Sequence, residues 1–165
     1  MKTVILQFLV SALIFALSSC SNEAVYNTIT QLNYGTSFGE CIGFCKHELT
    51  LKSNKATYTC YSYYPTIQTL TKTDSIKKSA LDSIYNLNTS AFFKLPATIG
   101  CPDCADGGAE WLEIQLVNGN KHIVTFEYNN EPPSLKNQIM KLRELFSKNK
   151  CNWQNNQLTD QPKNN

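Results

Sequence analysis

Residues 110–128, EWLEIQLVNGNKHIVTFEY, alternate apolar and polar side chains on both sides of an Asn-Gly pair. Such a stretch is built for an antiparallel hairpin with one buried face. Leu112, Ile114 and Leu116 share one strand face, and His122, Val124 and Phe126 share one face of the next. A one-residue slip in pairing turns every side chain over, so the need to bury both sets together constrains the loop length. A two-residue turn would oppose Ile114 to Ile123 and send Val124 and Phe126 to the wrong side. The pattern therefore predicts a three-residue or other odd connection, with Gly119 near a bulge.

Other segments carry weaker versions of the same signals. A first strand is expected around Thr28 to Tyr34, and a β-hairpin from the runs 46–52 and 56–63 around Ser53-Asn54-Lys55, with Asn54 taking the left-handed conformation. Ile76, Ala80, Ile84 and Leu87 fall at spacings of four, four and three, which predicts a helix over 74–87 capped by Thr73 or Asp74. Phe92 and Phe93 form an apolar plug before Pro96. After Pro132 and Pro133, Leu135, Ile139, Leu142 and Phe146 make the buried stripe of a second helix. The order hairpin, helix, hairpin, helix packs most simply as a mostly antiparallel sheet with two helices on one face, an α+β two-layer sandwich. The polar residues 151–165 read as a tail.

The chain opens MKTVILQFLVSALIFALSSC, with one cation at Lys2, an apolar run from Val4 to Leu17, and small residues before Cys20. That is the anatomy of an export signal. The run is shorter than the roughly 20 residues a spanning helix needs. Excluding residues 1–19 leaves 146 of the 165, the length of one domain with its own core. The loss of Lys2 lowers the formal charge from +2 to +1, which supplies no basic stripe, so nucleic acid is not an expected partner. The domain itself is expected over 35–150, with 20–34 as a tether.

Six cysteines remain beyond Cys20, and an even number in an exported chain favours disulfides. Cys41 with Cys45 and Cys101 with Cys104 could each close on themselves or cross between loops; the spacing does not choose. Two other chemistries use the same residues. Cys101-Pro102-Asp103-Cys104 has the C-x-x-C form of a redox dithiol, but Ala105-Asp106-Gly107-Gly108 is a poor helix start, and Asp103 and Asp106 would oppose a thiolate. The four clustered cysteines could also hold zinc, which takes four soft ligands from two short loops. Asp103, Asp106 and Glu110 near Gly107 are a calcium alternative that departs from the calcium-loop pattern. The structural-cysteine reading is carried forward, with no cofactor and no catalytic set. Asp103, Asp106, Gly107, Gly108, Glu110 and Trp111 form its candidate binding loop. His122 reads as a partly exposed structural residue and His47 as a neighbour of Cys45 with no assignable orienting acid.

Two resemblances add to this reading. Leu17-Ser18-Ser19-Cys20 resembles the lipobox of bacterial lipoproteins, which implies diacylation of Cys20, cleavage just before it and attachment to a membrane; an ordinary signal peptide cut near Ser19 is the alternative. Ser21 suits an outer-membrane destination by the same analogy. FGECIGFC (38–45) and CPDCADGGAEW (101–111) resemble motifs of a family of small exported bacterial lipoproteins with a domain of unknown function, over about residues 35–147. That resemblance implies an exported lipoprotein domain and supplies no activity and no catalytic residues. The expected function is a lipid-anchored envelope domain that binds a partner without catalysis. A thiol-disulfide enzyme using Cys101 and Cys104, or a zinc-binding lipoprotein, are the alternatives.

Overall fold

A computed structural model describes residues 28–152 and 157–160. The expected leader, Cys20 and most of the tether lie outside them. Seven strands form one mixed, mostly antiparallel sheet: β1 Ile29–Ser37, β2 Gly43–Lys52, β3 Lys55–Tyr64, β4 Gln68–Ser75, β5 Thr98–Ile99, β6 Ala109–Leu116 and β7 Lys121–Glu127. Their order is β4-β3-β2-β1-β6-β7-β5, and only β5 runs parallel to its neighbour. Three helices, α1 Lys78–Tyr85, α2 Thr89–Phe92 and α3 Lys136–Ser147, complete an α+β fold. A separate pair, β8 Asn149–Asn152 and β9 Gln157–Asp160, is antiparallel.

The β6–β7 hairpin takes the odd connection that its side chains require. Leu112 faces Val124 and Ile114 faces His122, so Val124 and Phe126 are fully buried with Leu112 and Ile114 while Ile123 stays exposed. The turn closes through Gly119 N–H to Leu116 C=O at 3.0 Å, and Gly119 has φ +86°. A type I turn followed by a left-handed glycine is the three-residue solution with a bulge.

Other expectations shift. Lys52 pairs with Lys55, leaving a two-residue turn in which Ser53, at φ 55°, and not Asn54, is left-handed. Thr73 and Asp74 do not cap a helix: the Thr-rich run Gln68–Ser75 pairs with β3 along its whole length, as β-branched residues favour. The helix then starts at Lys78, and its buried residues are Leu81 and Ile84, with Ala80 exposed. The domain boundary at residue 35 moves too. β1 is the central strand, and Ile29, Leu32 and Tyr34 are in the core, so the expected tether contributes structure from Ile29 onward. Nor does the tail begin at Cys151, which lies in β8 and is disulfide-bonded.

Leu32, Leu49, Leu51, Leu112 and Val124 of the strands share one core with Leu81, Ile84, Phe92, Ile139 and Leu142 of the helices. Gln138, buried on α3, donates to the Asn86 carbonyl at 2.7 Å and so ties α3 to the end of α1. On alternate positions Asn33, Glu48, Glu113 and Thr125 line a groove of about 480 Å³ with Trp111. Gly35 pairs directly with Trp111 across β1 and β6, and a Cβ there would stand 2.7 Å from the His47 carbonyl as well as inside the indole. Because a backbone atom blocks the space, Gly35→Ala is expected to destabilise by roughly 1–3 kcal/mol through overpacking. Urea unfolding followed by tryptophan fluorescence checks this; an unchanged midpoint would remove the close approach as a constraint.

Candidate functional site

The two cysteine motifs meet at the end of the sheet where β1 finishes. Cys41 bonds to Cys45 and Cys101 to Cys104, each within its own loop. The loops nevertheless touch. A Cβ on Gly39 would lie 3.3 Å from an Asp103 carboxylate oxygen, and the Phe38 ring meets Tyr128 edge-on with centroids 4.9 Å apart and packs against Gly108. Phe38 N–H donates to the Cys45 carbonyl at 3.1 Å, and Asp103 N–H to the Gly108 carbonyl at 3.0 Å. Cys101 N–H donates to Glu127 Oε1 at 2.8 Å, and Asn130 Nδ2 donates to its other oxygen at 2.8 Å. The Cys101 amide, and then Asn130, hold the exposed Glu127 carboxyl below its ordinary range.

Within the second loop, Asp103, Ala105 and Asp106 all have positive φ, at 63°, 50° and 58°. Left-handed backbone costs a residue with a Cβ about 1–2 kcal/mol, and such outliers cluster where surrounding structure holds a surface in shape for use. Ala105 has no side-chain oxygen to offset that cost. Ala105→Gly is accordingly expected to stabilise by about 0.5–1 kcal/mol, the relief exceeding glycine's greater unfolded-state entropy; a thermal midpoint that falls would refute the assignment. Cys104 opens a single 3₁₀ turn, Cys104–Asp106, and not a helix. The helix-end stabilisation of a thiolate that lowers dithiol pKa values has no counterpart here.

Glu110 leaves the candidate loop altogether. It pairs with Thr36 and Phe126, faces the core and is fully buried. Arg143 of α3 grips it with two bonds, Nε to Oε1 at 2.9 Å and Nη2 to Oε2 at 2.6 Å. Tyr34 Oη donates to Oε1 at 2.5 Å and Asn129 N–H to Oε2 at 3.2 Å. Arg143 Nη2 also lies 2.6 Å from Glu131. Burial, reinforced by the Glu110 charge, pushes the Tyr34 phenol far up. Desolvation works against the Arg143 cation and is outweighed by its hydrogen bonds and charge pairing with Glu110 and Glu131, so its proton is held more tightly than usual. Glu110 is thus a buried structural anion, and the calcium set of Asp103, Asp106 and Glu110 loses its third ligand. Trp111 also leaves the loop: it stands on β6 over Gly35, beside the groove, with Lys46 Nζ 5.6 Å from its ring.

The zinc set of Cys41, Cys45, Cys101 and Cys104 is replaced by two local disulfides. A third, Cys60–Cys151, joins β3 to β8. Its neighbour is His47, which pairs directly with Cys60 across β2 and β3. His47 Nε2 is 2.7 Å from the Phe44 carbonyl. Burial lowers the His47 pKa, and the bond to Phe44 only partly opposes this. The grouping of His47, Cys60 and Cys151 escaped sequence reasoning, although the register of the 46–52 and 56–63 runs held the signal. Summing the pairing around Ser53-Asn54 opposes 47 to 60. His122 is half-buried as expected, its Nε2 2.9 Å from the Leu95 carbonyl and its ring against Phe92 and Phe93.

The fold and site define an α+β domain with a mostly antiparallel seven-stranded sheet and disulfide-closed loops at one end. Comparison of the chain with protein-family models and with curated proteins finds no match. No described helix is long and apolar enough to cross a membrane.

Proposed function

We propose that the protein is a lipid-anchored envelope lipoprotein whose domain binds a partner, without catalysis, through the paired disulfide loops. In this reading Cys20 carries the lipid, the outer membrane is the support, and the family of exported lipoproteins suggested by FGECIGFC and CPDCADGGAEW is its class. The architecture is read as a two-layer sandwich, with α1 and α3 on one face of the sheet and the groove of Trp111 on the other.

The observation that carries the proposal is the direction of β1. Residue 28 adjoins the β6–β7 turn, where Val117 N–H donates to the Thr28 carbonyl at 2.9 Å, whereas Ser37 leads into the first disulfide loop. A nine-residue strand is about 30 Å long. The nine residue steps from Cys20 to Ile29 reach at most about 32 Å even when fully extended, little more than the strand itself. A lipid at Cys20 therefore favours an arrangement with the loops facing away from the bilayer, and Ile42, 74% exposed, and Asp106 are presented outward. The left-handed backbone of Asp103, Ala105 and Asp106, in the loop closed by the Cys101–Cys104 disulfide, suits a preformed contact surface, since ordering it on binding would cost affinity.

Intact mass spectrometry of the mature chain from its native envelope tests the anchor: a diacylated Cys20 supports it, and an unmodified chain beginning elsewhere overturns it. Photo-crosslinking residues placed at Ile42, Asp106, Val117 and Lys55 in intact cells test the surface. Adducts confined to Ile42 and Asp106 support the loops. Adducts from Val117 and Lys55 alone would assign binding to the opposite end.

A further inference from the structure

We propose that His47, Cys60 and Cys151 are a ligand set for a thiophilic divalent cation of the zinc type, closed while the two sulfurs are bonded and opened by a dithiol reductant. The candidate ligand atoms of the three residues lie within 4.8 Å of one another. Two of them are directly opposed on neighbouring strands of the sheet, and the third is delivered by β8 just after α3. The Cα atoms of Cys60 and Cys151 are 6.4 Å apart. Tetrahedral zinc takes sulfur at about 2.3 Å and imidazole nitrogen at about 2.0–2.1 Å, which sets its donor atoms roughly 3.5–3.8 Å apart. Once the disulfide is opened, the two sulfurs must separate to about 3.8 Å and the imidazole nitrogen must draw in by about 1 Å, movements that side-chain rotation supplies.

His47 is prepared for this role by its other contacts. A carbonyl can only accept, so the bond to Phe44 places the ring proton on Nε2 and leaves the Nδ1 lone pair available in the neutral ring. A backbone carbonyl on the far nitrogen is how ligating histidines are commonly oriented. The Phe146 ring meets the imidazole edge-on at 5.8 Å and restricts its rotation. A cavity of about 240 Å³ adjoins the cluster, bounded by His47, Cys151, Asn149, Ser147 and Phe146. It leaves room for water or a small ligand as the fourth donor. A site with three protein ligands and one open position is the arrangement zinc adopts where it does chemistry.

The redox step balances without metal. The Cys60–Cys151 disulfide takes two electrons and two protons from a dithiol, which departs as its own disulfide. Zinc then displaces the two thiol protons to solvent, while imidazole gives its lone pair and loses no proton. The other two disulfides join cysteines only four and three residues apart, and neither is grouped with a histidine among the described residues. The inference stands apart from the binding function of the loops.

The test uses the full mature chain, reduced anaerobically with a water-soluble phosphine that is then removed, and divided into portions with and without one equivalent of zinc sulfate. Brief alkylation followed by peptide mapping reads each thiol. Zinc is expected to slow labelling of Cys151 at least tenfold, and of Cys60 likewise, while Cys41, Cys45, Cys101 and Cys104 label alike in both portions. Equal labelling of Cys151, protection centred on the other four, or a reduced chain without its far-ultraviolet dichroism would overturn the proposal. Cobalt(II) supplies the second readout: a tetrahedral spectrum with sulfur charge-transfer bands is expected for the native sequence and a loss of affinity of at least tenfold in His47→Gln. An unchanged cobalt spectrum and affinity in a folded H47Q variant would remove the histidine from the set. Should H47Q not fold, the labelling of the native chain decides alone.

Discussion

Replacing Arg143 with alanine is expected to destabilise the domain by about 3–5 kcal/mol, because it strands a carboxylate in the core. Glu110 is fully buried, and Arg143 supplies its only cationic contact among the bonds described, through two parallel hydrogen bonds. Tyr34 and the Asn129 amide would remain, and two neutral donors do not replace a guanidinium. Urea unfolding with disulfides intact should show a lower midpoint at nearly constant slope. The double variant Glu110→Gln with Arg143→Met should lose much less than Arg143→Ala alone, since removing both charges avoids the orphaned ion. A double variant no better than the single would mean that the pair matters through shape and not charge. By contrast, Lys148→Ala breaks an exposed pair with Glu144 and should cost no more than about 0.5 kcal/mol.

The second large effect separates the three disulfides by the length of chain each one closes. Cys60 and Cys151 are 91 residues apart, against four for Cys41 and Cys45. In the chain-entropy account the first restricts the unfolded state by about 4.5 kcal/mol and the second by about 2 kcal/mol. Cys60→Ala with Cys151→Ala is therefore expected to lower the unfolding midpoint more than twice as far as Cys41→Ala with Cys45→Ala. Alanine is chosen because a serine hydroxyl at the buried Cys60 would add an unsatisfied polar group. Equal losses would show that the long bridge acts on the native state and not through the unfolded chain. A domain stability of the usual 5–15 kcal/mol can absorb the opening of this bridge, which is the condition that reversible metal binding at His47, Cys60 and Cys151 requires.

Alternation along residues 110–128 determined the face, the partner register and even the odd turn, because burying Leu112 with Val124 admits only one parity. The stripe of Leu135, Ile139 and Leu142 was legible for the same reason, the period of a helix against a core. Local pattern was less decisive where two periods competed. Asp74 and Ser75 are expected to open the helix, but they continue the alternating threonines of Gln68–Ser75, and pairing with the edge of β3 decided in favour of the strand.

By itself, then, the sequence determined the elements whose hydrophobic period is unambiguous, their α+β class, and the clustering of four cysteines in two motifs, while the structure decided that each pair closes within its own loop. Alternation already puts Glu110 on the face of Leu112 and Trp111 on the other; only the tertiary structure decided that Glu110 meets Arg143, that Trp111 lies over Gly35, that Cys60 finds Cys151, and that His47 stands beside them. Each of those outcomes depends on which strand lies next to which and on where α3 and β8 return, and contacts between residues far apart in the chain leave no periodic trace in it.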